Sequence, residues 1–219
     1  MKNHTLLSDI AIFLLIIFLF IVPPFFIVNV PSDNLIFSSW SFPWYQILLA
    51  IFGCALLYFY YEKTSRHTLI VFPVLFTFGM LFTGFLLSKF ISEVVSNYVE
   101  IDVINKISVS KPKGVIQWIF CIINFLCAAF YEECLYRFYF PEALFRLITL
   151  KKTFRFSFLF CEVIGLLCFA FAHLYMGWIS VFNAGLAHVF LRLCYKKTQK
   201  LWPCVASHFL YNVISLILL

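Results

Sequence analysis

The chain has 219 residues, of which 63% are apolar, 21% are aromatic and only 12% are charged, about half the charged share of a typical soluble domain. This composition excludes a soluble enzyme, and the 30 phenylalanines exclude a disordered chain, because disordered chains are poor in aromatic residues. The net charge of +6 comes from lysines and arginines spread over short connectors, so we expect no nucleic-acid partner.

Seven apolar segments are long enough to be predicted as membrane-spanning helices, since about 20 residues cross a hydrocarbon core of about 30 Å. They are residues 10–30, 45–61, 69–88, 115–146, 156–172, 174–191 and 201–219. We therefore predict an all-α, polytopic integral membrane bundle of about seven transmembrane helices. An eighth short or re-entrant segment has room within residues 89–114. The first span should kink at Pro23 and Pro24, because proline interrupts helical hydrogen bonding.

The positively charged residues predict the orientation of these spans. When the spans alternate, eleven lysines and arginines fall on one side of the membrane and four on the other. The richer side has Lys2, Lys63, Arg66, Arg146, Lys151, Lys152, Arg155, Arg192, Lys196, Lys197 and Lys200, and the poorer side has Lys89, Lys106, Lys111 and Lys113. The N-terminus is therefore predicted to be cytoplasmic and the C-terminus to lie outside.

Several polar side chains lie inside the predicted spans, where each charged one costs roughly 2.5 to 3.5 kcal/mol on insertion scales. Such groups persist when they are paired, face a water-filled cavity or have a function. They are Glu132, Glu133, Arg137, Glu162, His173, Asn183, His188, His208 and Asn212. Glu162 is expected to pair near the cytoplasmic face, whereas Asn183 and His188 are expected to pack or to hydrogen-bond across helices.

The spacing of the other polar residues predicts which of them interact. Glu133 and Arg137 are four residues apart with the acid first, which favours an ion pair on one helix face. Glu132 lies about 100° around the same helix, so it is left to face a different neighbour. His208 and Asn212 are again four residues apart and share a face. One unpaired carboxylate, imidazoles and an amide could therefore converge between helices.

These side-chain types are the ones that a hydrolytic site needs. A carboxylate in an apolar cavity can accept a proton from water, and an imidazole beside it can orient that water. A second imidazole and an amide can donate hydrogen bonds to a developing oxyanion. The same glutamate and two histidines could instead bind zinc with a fourth position open. The residues leave both chemistries open.

Three motifs contain these residues: EECLYR at 132–137, FAFAH at 169–173 and HFLYN at 208–212. In order and spacing they resemble the EExxxR, FxxxH and HxxxN motifs of the CAAX prenyl endopeptidase type II and bacteriocin-processing (CPBP, or Abi) family of intramembrane proteases. The resemblance covers about residues 115–212. It has one departure, because His188 stands where the family has a second glycine in its tail motif.

The resemblance implies a role for six residues. Glu132 with His173 activates water, His208 and Asn212 bind the oxyanion, and Glu133 with Arg137 stabilises the arrangement. We favour a glutamic protease without a cofactor, because the position of Asn212 suits a donor partner of His208. The alternative is a zinc metalloprotease with Glu132, His173 and His208 as ligands.

The resemblance also implies a substrate and a location. The substrate is expected to be a peptide bond in a membrane-associated protein or peptide, lipid-modified ones included, and the surroundings are membrane lipids. A bacterial plasma membrane is the expected location. A proton-coupled transporter is a weaker interpretation, since no internal repeat is visible. A non-catalytic scaffold or immunity protein is also weaker, since every motif residue is present.

Two predictions concern the organisation of the chain. Residues 1–219 are predicted to form a single transmembrane domain, with generic N-terminal spans in 1–114 and the catalytic helical core in 115–219. Continuous helices would place His173 and Glu132 at different depths. We therefore predict that the fifth span tilts or stops short, with residues 173–177 inside the protein at membrane depth, where they line a wet cavity.

Overall fold

The protein is built from helices. The computed structural model describes residues 6–26, 37, 41–60, 71–98, 109–150 and 155–218. The α-helices in these ranges are α1 (Leu6–Ile16), α2 (Trp44–Tyr60), α3 (Val71–Val95), α4 (Val115–Glu133), α5 (Phe140–Ile148), α6 (Ser157–Phe171), α7 (Trp178–Thr198) and α8 (Leu201–Leu218). They are supplemented by π-helical segments at Ile17–Ile21 and Cys134–Tyr139 and by 3-10 segments at Pro23–Phe26 and Leu174–Met176.

The helices have the length and composition of membrane spans. Among the described residues, five stretches are long and apolar enough to cross a membrane: Leu6–Phe26, Val71–Val95, Val115–Ile148, Ser157–Met176 and Leu201–Leu218. The apolar helix Trp44–Tyr60 is shorter, with 17 residues. The prediction of an all-α, polytopic membrane bundle is confirmed.

The outer surface of the bundle is apolar, as lipid contact requires. In α3, for example, Phe72, Leu75 and Phe76 are 71%, 61% and 58% exposed. A soluble helix hides such residues and shows a polar face, whereas a helix that is apolar all round belongs in a core or a membrane. The buried side of α3 holds small and polar residues instead, among them Gly84 and Ser88.

The helix that contains the first motif lies at the centre of the packing. α4 packs against α2 on one side and α8 on another, while α3 packs against both α7 and α8. α6 packs against α5 and α7. The hydroxyl of Ser207 in α8 donates to the carbonyl of Val74, 3.0 Å away in α3, so a polar contact also joins these two helices.

The first span kinks where its prolines predict. α1 gives way to the π-helical segment Ile17–Ile21, and after Val22 the chain forms a 3-10 segment that begins with Pro23 and Pro24. Asp9 of α1 forms a salt bridge with Arg146 of α5. This N-terminal span therefore packs on α5, which follows the first motif, instead of lying apart from it.

The fifth span ends close to its predicted boundary. α6 ends at Phe171, Ala172 caps it, and a 3-10 turn at Leu174–Met176 follows. Gly177 has a φ of 104°, a conformation that favours glycine, and α7 starts directly after it. The helix therefore ends within one residue of the boundary predicted from the sequence, whereas a tilt of this span and the depth of residues 173–177 in the membrane stay predictions.

The sixth span differs from its predicted boundaries. Instead of running over 174–191, α7 starts at Trp178 and continues to Thr198. Arg192, Lys196 and Lys197 are therefore part of a helix, and their assignment to a connector is wrong. Ion pairs of Arg192 and Lys196 with carboxylates of other helices stabilise the helix where it continues through these charges, as described below.

Several sequence predictions fall on residues beyond the described ranges. Among the charges used for the orientation, these are Lys2, Lys63, Arg66, Lys106, Lys151 and Lys152. The ends of four predicted spans (27–30, 61, 69–70 and 219) and the middle of the proposed eighth segment (99–108) also lie outside them. The orientation and the eighth segment stay predictions.

Candidate active site

Glu133 joins two helices at the centre of the candidate site. Its side chain is completely buried. One carboxylate oxygen, Oε1, lies 2.8 Å from Nδ1 of His208 in α8, and the other, Oε2, lies 3.3 Å from Nε of Arg137. The pair with Arg137 was expected from the spacing, but the contact with His208 was not. A single carboxylate thus interacts with both the arginine and the imidazole.

Glu132 occupies a different environment from its neighbour. Its side chain is 24% exposed, whereas those of Glu133 and Arg137 are 0% exposed. Its Oε2 lies 3.9 Å from Nε2 of His208, too far for a direct hydrogen bond. As predicted, Glu132 is the glutamate of the pair that does not face Arg137; its side chain is partly exposed, and its Oε2 is buried without a hydrogen-bond partner among the described residues.

The carboxylate of Glu133 determines which way the ring of His208 donates. The carboxylate of Glu133, paired with Arg137, is an acceptor, so Nδ1 of His208 carries a proton and donates to it. A neutral His208 then has a lone pair on Nε2, and an imidazolium has a second N–H there. This Nε2 is the atom that faces Glu132.

His173 is oriented by the helix that it terminates. Its Nδ1 lies 2.9 Å from the backbone carbonyl oxygen of Phe169, which can only accept a hydrogen bond. Nδ1 therefore carries the proton, and Nε2 of a neutral His173 is free to accept one. This contact requires the histidine to follow the accepting carbonyl by four residues.

The ring of Phe169 connects the second motif to the first. Its centroid lies 4.0 Å from the guanidinium carbon of Arg137 and 4.8 Å from the centroid of the His173 ring. The ring is 2% exposed. A cation over an aromatic face in a desolvated position is stabilised by about 2 kcal/mol, so Phe169 replaces part of the solvation that the buried arginine has lost.

The structure brings some of the predicted residues into contact and leaves others apart. Glu132, Glu133, Arg137 and His208 form one connected group, to which His173 is linked through Phe169. Over the ranges that the structure describes, no hydrogen bond or ion pair joins His173 or Asn212 to Glu132. Asn212 follows His208 by one helical turn of α8 and is half-buried.

The zinc alternative requires three ligands at one point. Among the described residues, no group of three histidine, cysteine, aspartate or glutamate side chains is placed to hold a metal ion. The trio Glu132, His173 and His208 does not meet this requirement in the arrangement seen here. We therefore derive no step through a metal.

The helix of the first motif changes its hydrogen bonding within the motif. Residues Cys134–Tyr139 are π-helical, and Arg137 is among them. Proline at position 141 contributes to the change, because it has no N–H to donate to the carbonyl of residue 137 four positions earlier. π-Helical turns occur frequently at functional sites. Here the turn lies directly after the two glutamates.

His188 fills space next to the site. It is 2% exposed and its ring centroid lies 5.6 Å from that of Phe169. Its ring atoms also lie 3.8 to 3.9 Å from the position that a Cβ would take on Gly165 of α6. Neither ring nitrogen has a hydrogen-bond partner among the described residues. Packing, the interpretation favoured from the sequence, is what the structure shows for His188.

The other two polar residues also behave as the sequence predicts. Asn183 donates to the hydroxyl of Tyr211 in α8, and the hydroxyl of Ser88 in α3 lies 3.4 Å from its Oδ1. Glu162 pairs with Arg192 at 2.7 Å and with Lys196 at 2.8 Å. These residues connect helices and do not contact the two adjacent glutamates.

Sequence reasoning missed Arg192 as part of this region. Its side chain is buried in α7, where it contacts three other elements. One signal was present in the sequence: an arginine four residues after His188 continues the buried face of that helix. Its proximity to several basic residues made it resemble a connector.

Comparison with protein families identifies the segment that contains the site. Residues 114–214 match the model of a family described as Type II CAAX prenyl endopeptidase Rce1-like. This segment is similar to the Rce1-like family. The match confirms the resemblance seen in the three motifs and includes all six predicted site residues. No curated protein and no solved structure matches the chain.

The match with the Rce1-like family supports a general activity. At the family level this activity is that of a CAAX-type intramembrane endopeptidase, which implies a peptide or protein substrate in a lipid environment. Together with the apolar helices, the match makes the protein a multi-pass integral membrane protein. The mechanism, the catalytic residues and the substrate are finer questions.

Proposed function

We propose that the protein is a glutamic intramembrane endopeptidase in which Glu132 activates the attacking water. One observation carries this proposal. Glu132 is the partly exposed member of a glutamate pair, and it faces His208, which the completely buried Glu133 holds in place. A carboxylate that can meet water next to a fixed imidazole is the arrangement that general-base hydrolysis requires.

The proposed reaction starts with water between Glu132 and the scissile bond. Glu132 accepts a proton from this water while the oxygen attacks the carbonyl carbon, and Nε2 of His173 accepts a hydrogen bond from the second O–H. The carbonyl oxygen becomes an oxyanion that Nε2–H of His208 and the amide of Asn212 stabilise. The C–N bond then breaks, and its nitrogen takes the proton from Glu132. The products are a carboxyl group and an amine.

His208 must be an imidazolium to fill this role. Its Nδ1–H already donates to Glu133, so donation to the oxyanion needs a second proton on Nε2. The charges support this state: with His208 protonated, two carboxylates face one guanidinium and one imidazolium, and the group is neutral as a whole. Buried charges that are compensated in this way avoid the large penalty of an isolated ion.

The substrate is proposed to be a membrane-associated protein or peptide, lipid-modified ones included. We further propose that the protein lies in a bacterial plasma membrane with its N-terminus in the cytoplasm, as the distribution of lysine and arginine indicates. No bound cofactor is needed for the proposed chemistry, since the base and the oxyanion donors are all side chains of this chain.

The proposal is tested by replacing Glu132 with glutamine in the full-length protein. The substitution preserves size but removes the base, so hydrolysis of a peptide library in proteoliposomes should fall by about 10² to 10⁴. Glu93→Gln is the matched control, because Glu93 is an exposed glutamate at the end of α3. Equal turnover in Glu132→Gln and in the wild type would refute the proposal. Comparing the peptides in membranes that contain either protein would identify the natural substrate.

A further inference from the structure

Arg192 of α7 makes an unusual contact with the backbone of the first motif. Its Nη1 donates a hydrogen bond to the carbonyl oxygen of Arg137. This is the carbonyl that Pro141 leaves without its α-helical donor, since proline has no N–H. Arg192 is 4% exposed, so a buried guanidinium stands in for the missing backbone donor.

The remaining nitrogens of Arg192 are tied to two other helices. Nε and Nη2 form two hydrogen bonds with the carboxylate of Glu162 in α6, at 2.9 and 2.7 Å. Nη2 also lies 2.8 Å from Oε1 of Glu142 in α5. The planar guanidinium therefore holds three elements at fixed positions, which a lysine ammonium on a flexible stem does not do equally well.

The position of the Arg137 backbone matters for the site. The side chain of Arg137 interacts with Glu133, and Glu133 holds His208. On its other side Arg137 packs on Phe169, whose carbonyl oxygen accepts from His173. A shift of the backbone at residue 137 would therefore reach both histidines of the proposed mechanism.

We propose that Arg192 is a positioning residue: by bonding the carbonyl that Pro141 leaves free, it fixes the π-helical segment Cys134–Tyr139 and, through Arg137 and Glu133, the placement of His208. This inference rests on the proposed protease function. Arg192 contacts neither substrate nor reacting atoms, so its loss should lower kcat and leave KM within about twofold, since geometry is disturbed and not substrate binding.

The test uses a rescue that a general loss of stability would not show. Arg192→Lys should lower kcat by about 10- to 100-fold, the effect of a small misplacement of catalytic groups. Pro141→Ala supplies a new backbone N–H, which an α-helical register would direct to the Arg137 carbonyl. In the double variant Arg192→Lys/Pro141→Ala, kcat should return to within about twofold of Pro141→Ala alone, the scatter expected for independent effects.

Two results would overturn the inference. One is a kcat of Arg192→Lys equal to that of the wild type. The other is a double variant whose fold-decrease in kcat equals the product of the fold-decreases of the two single variants. If Arg192→Lys gives no folded protein, Glu142→Gln is used in its place. Glu142 is 56% exposed, and the substitution removes the charge that pairs with Nη2 of Arg192. Here too, kcat should fall and Pro141→Ala should restore it.

A second measurement does not depend on proteolysis. Amide hydrogen exchange of peptides covering residues 134–141 should be faster in Arg192→Lys, or in Glu142→Gln if that variant is used, and slow again when Pro141→Ala is added. Unchanged exchange would overturn the inference even in an active enzyme. The Glu132→Gln variant, measured alongside, reports separately on the protease function, so failure of one idea is distinguishable from failure of the other.

Discussion

Glu133→Gln should destabilise the protein far more than Glu132→Gln, although the two residues are adjacent and the substitution is the same. Glu133 is completely buried and interacts with both Arg137 and His208. A glutamine at this position has one oxygen that can accept and one NH2 group that can only donate. It can satisfy one of the two partners, and its NH2 group then points at the other donor.

The size of the effect follows from the burial of the partner. Arg137 is 0% exposed. Once the Glu133 carboxylate is removed, the cation–π contact with Phe169 is the one stabilising contact of its guanidinium that remains among the described residues. Removing one member of a buried pair costs about 3 to 5 kcal/mol, because a charge is left uncompensated. Total stabilities are about 5 to 15 kcal/mol, so this is a large share. Glu132 is 24% exposed, and its substitution should change the stability by about 0.5 kcal/mol or less.

The assay is reversible unfolding in mixed micelles, followed by tryptophan fluorescence, with both variants and the wild type side by side. Arg137→Gln and the double variant Glu133→Gln/Arg137→Gln complete a cycle. Because the two side chains are in contact, the double variant should lose less than the sum, with a coupling of about 0.5 to 3 kcal/mol. Equal stabilities of Glu133→Gln and the wild type would refute the idea that this carboxylate compensates the arginine.

Two further predictions concern the second motif and the cofactor. Gly177→Ala should lower the free energy of unfolding by about 1 to 3 kcal/mol, because the φ of 104° at this position strains any residue with a Cβ. It should also lower kcat, because the turn that follows His173 is displaced. An unfolding midpoint equal to that of the wild type would contradict this prediction. Prolonged treatment with a strong chelator should leave the rate of hydrolysis unchanged if Glu132 is the base. A loss of activity that is restored by added zinc would instead support a zinc metalloprotease with Glu132, His173 and His208 as ligands.

Contacts within one helix were predictable from the sequence. The spacing of Glu133 and Arg137 fixes their relative positions on any helix. His173 lies just after the end of α6, so its contact with Phe169 depends on the turn that follows the helix. The hydrogen bond between Glu133 and His208 joins residues 75 positions apart and depends on how α4 and α8 pack. No local pattern in one sequence contains that information.

The error at the sixth span has an electrostatic cause. A run of basic residues normally marks the end of a membrane helix, because isolated charges are costly in hydrocarbon. In α7 the cost is offset by the carboxylates of Glu162 and Glu142, which lie on other helices. A hydropathy scale gives each residue the membrane-insertion free energy of an isolated side chain. It therefore predicts that the helix ends at Leu191, seven residues before the observed end at Thr198.

The N-terminal span has a bearing on the site that its sequence does not show. Phe20 packs on Tyr131, the residue directly before Glu132, with 6.0 Å between ring centroids. The 3-10 segment Pro23–Phe26 packs against the turn Leu174–Met176 that follows His173. Both contacts come from outside the family segment 114–214. Two proteins with identical motifs can therefore differ in the residues that surround Glu132. Their substrate selectivity can then differ because of the N-terminal span, which contains none of the motifs.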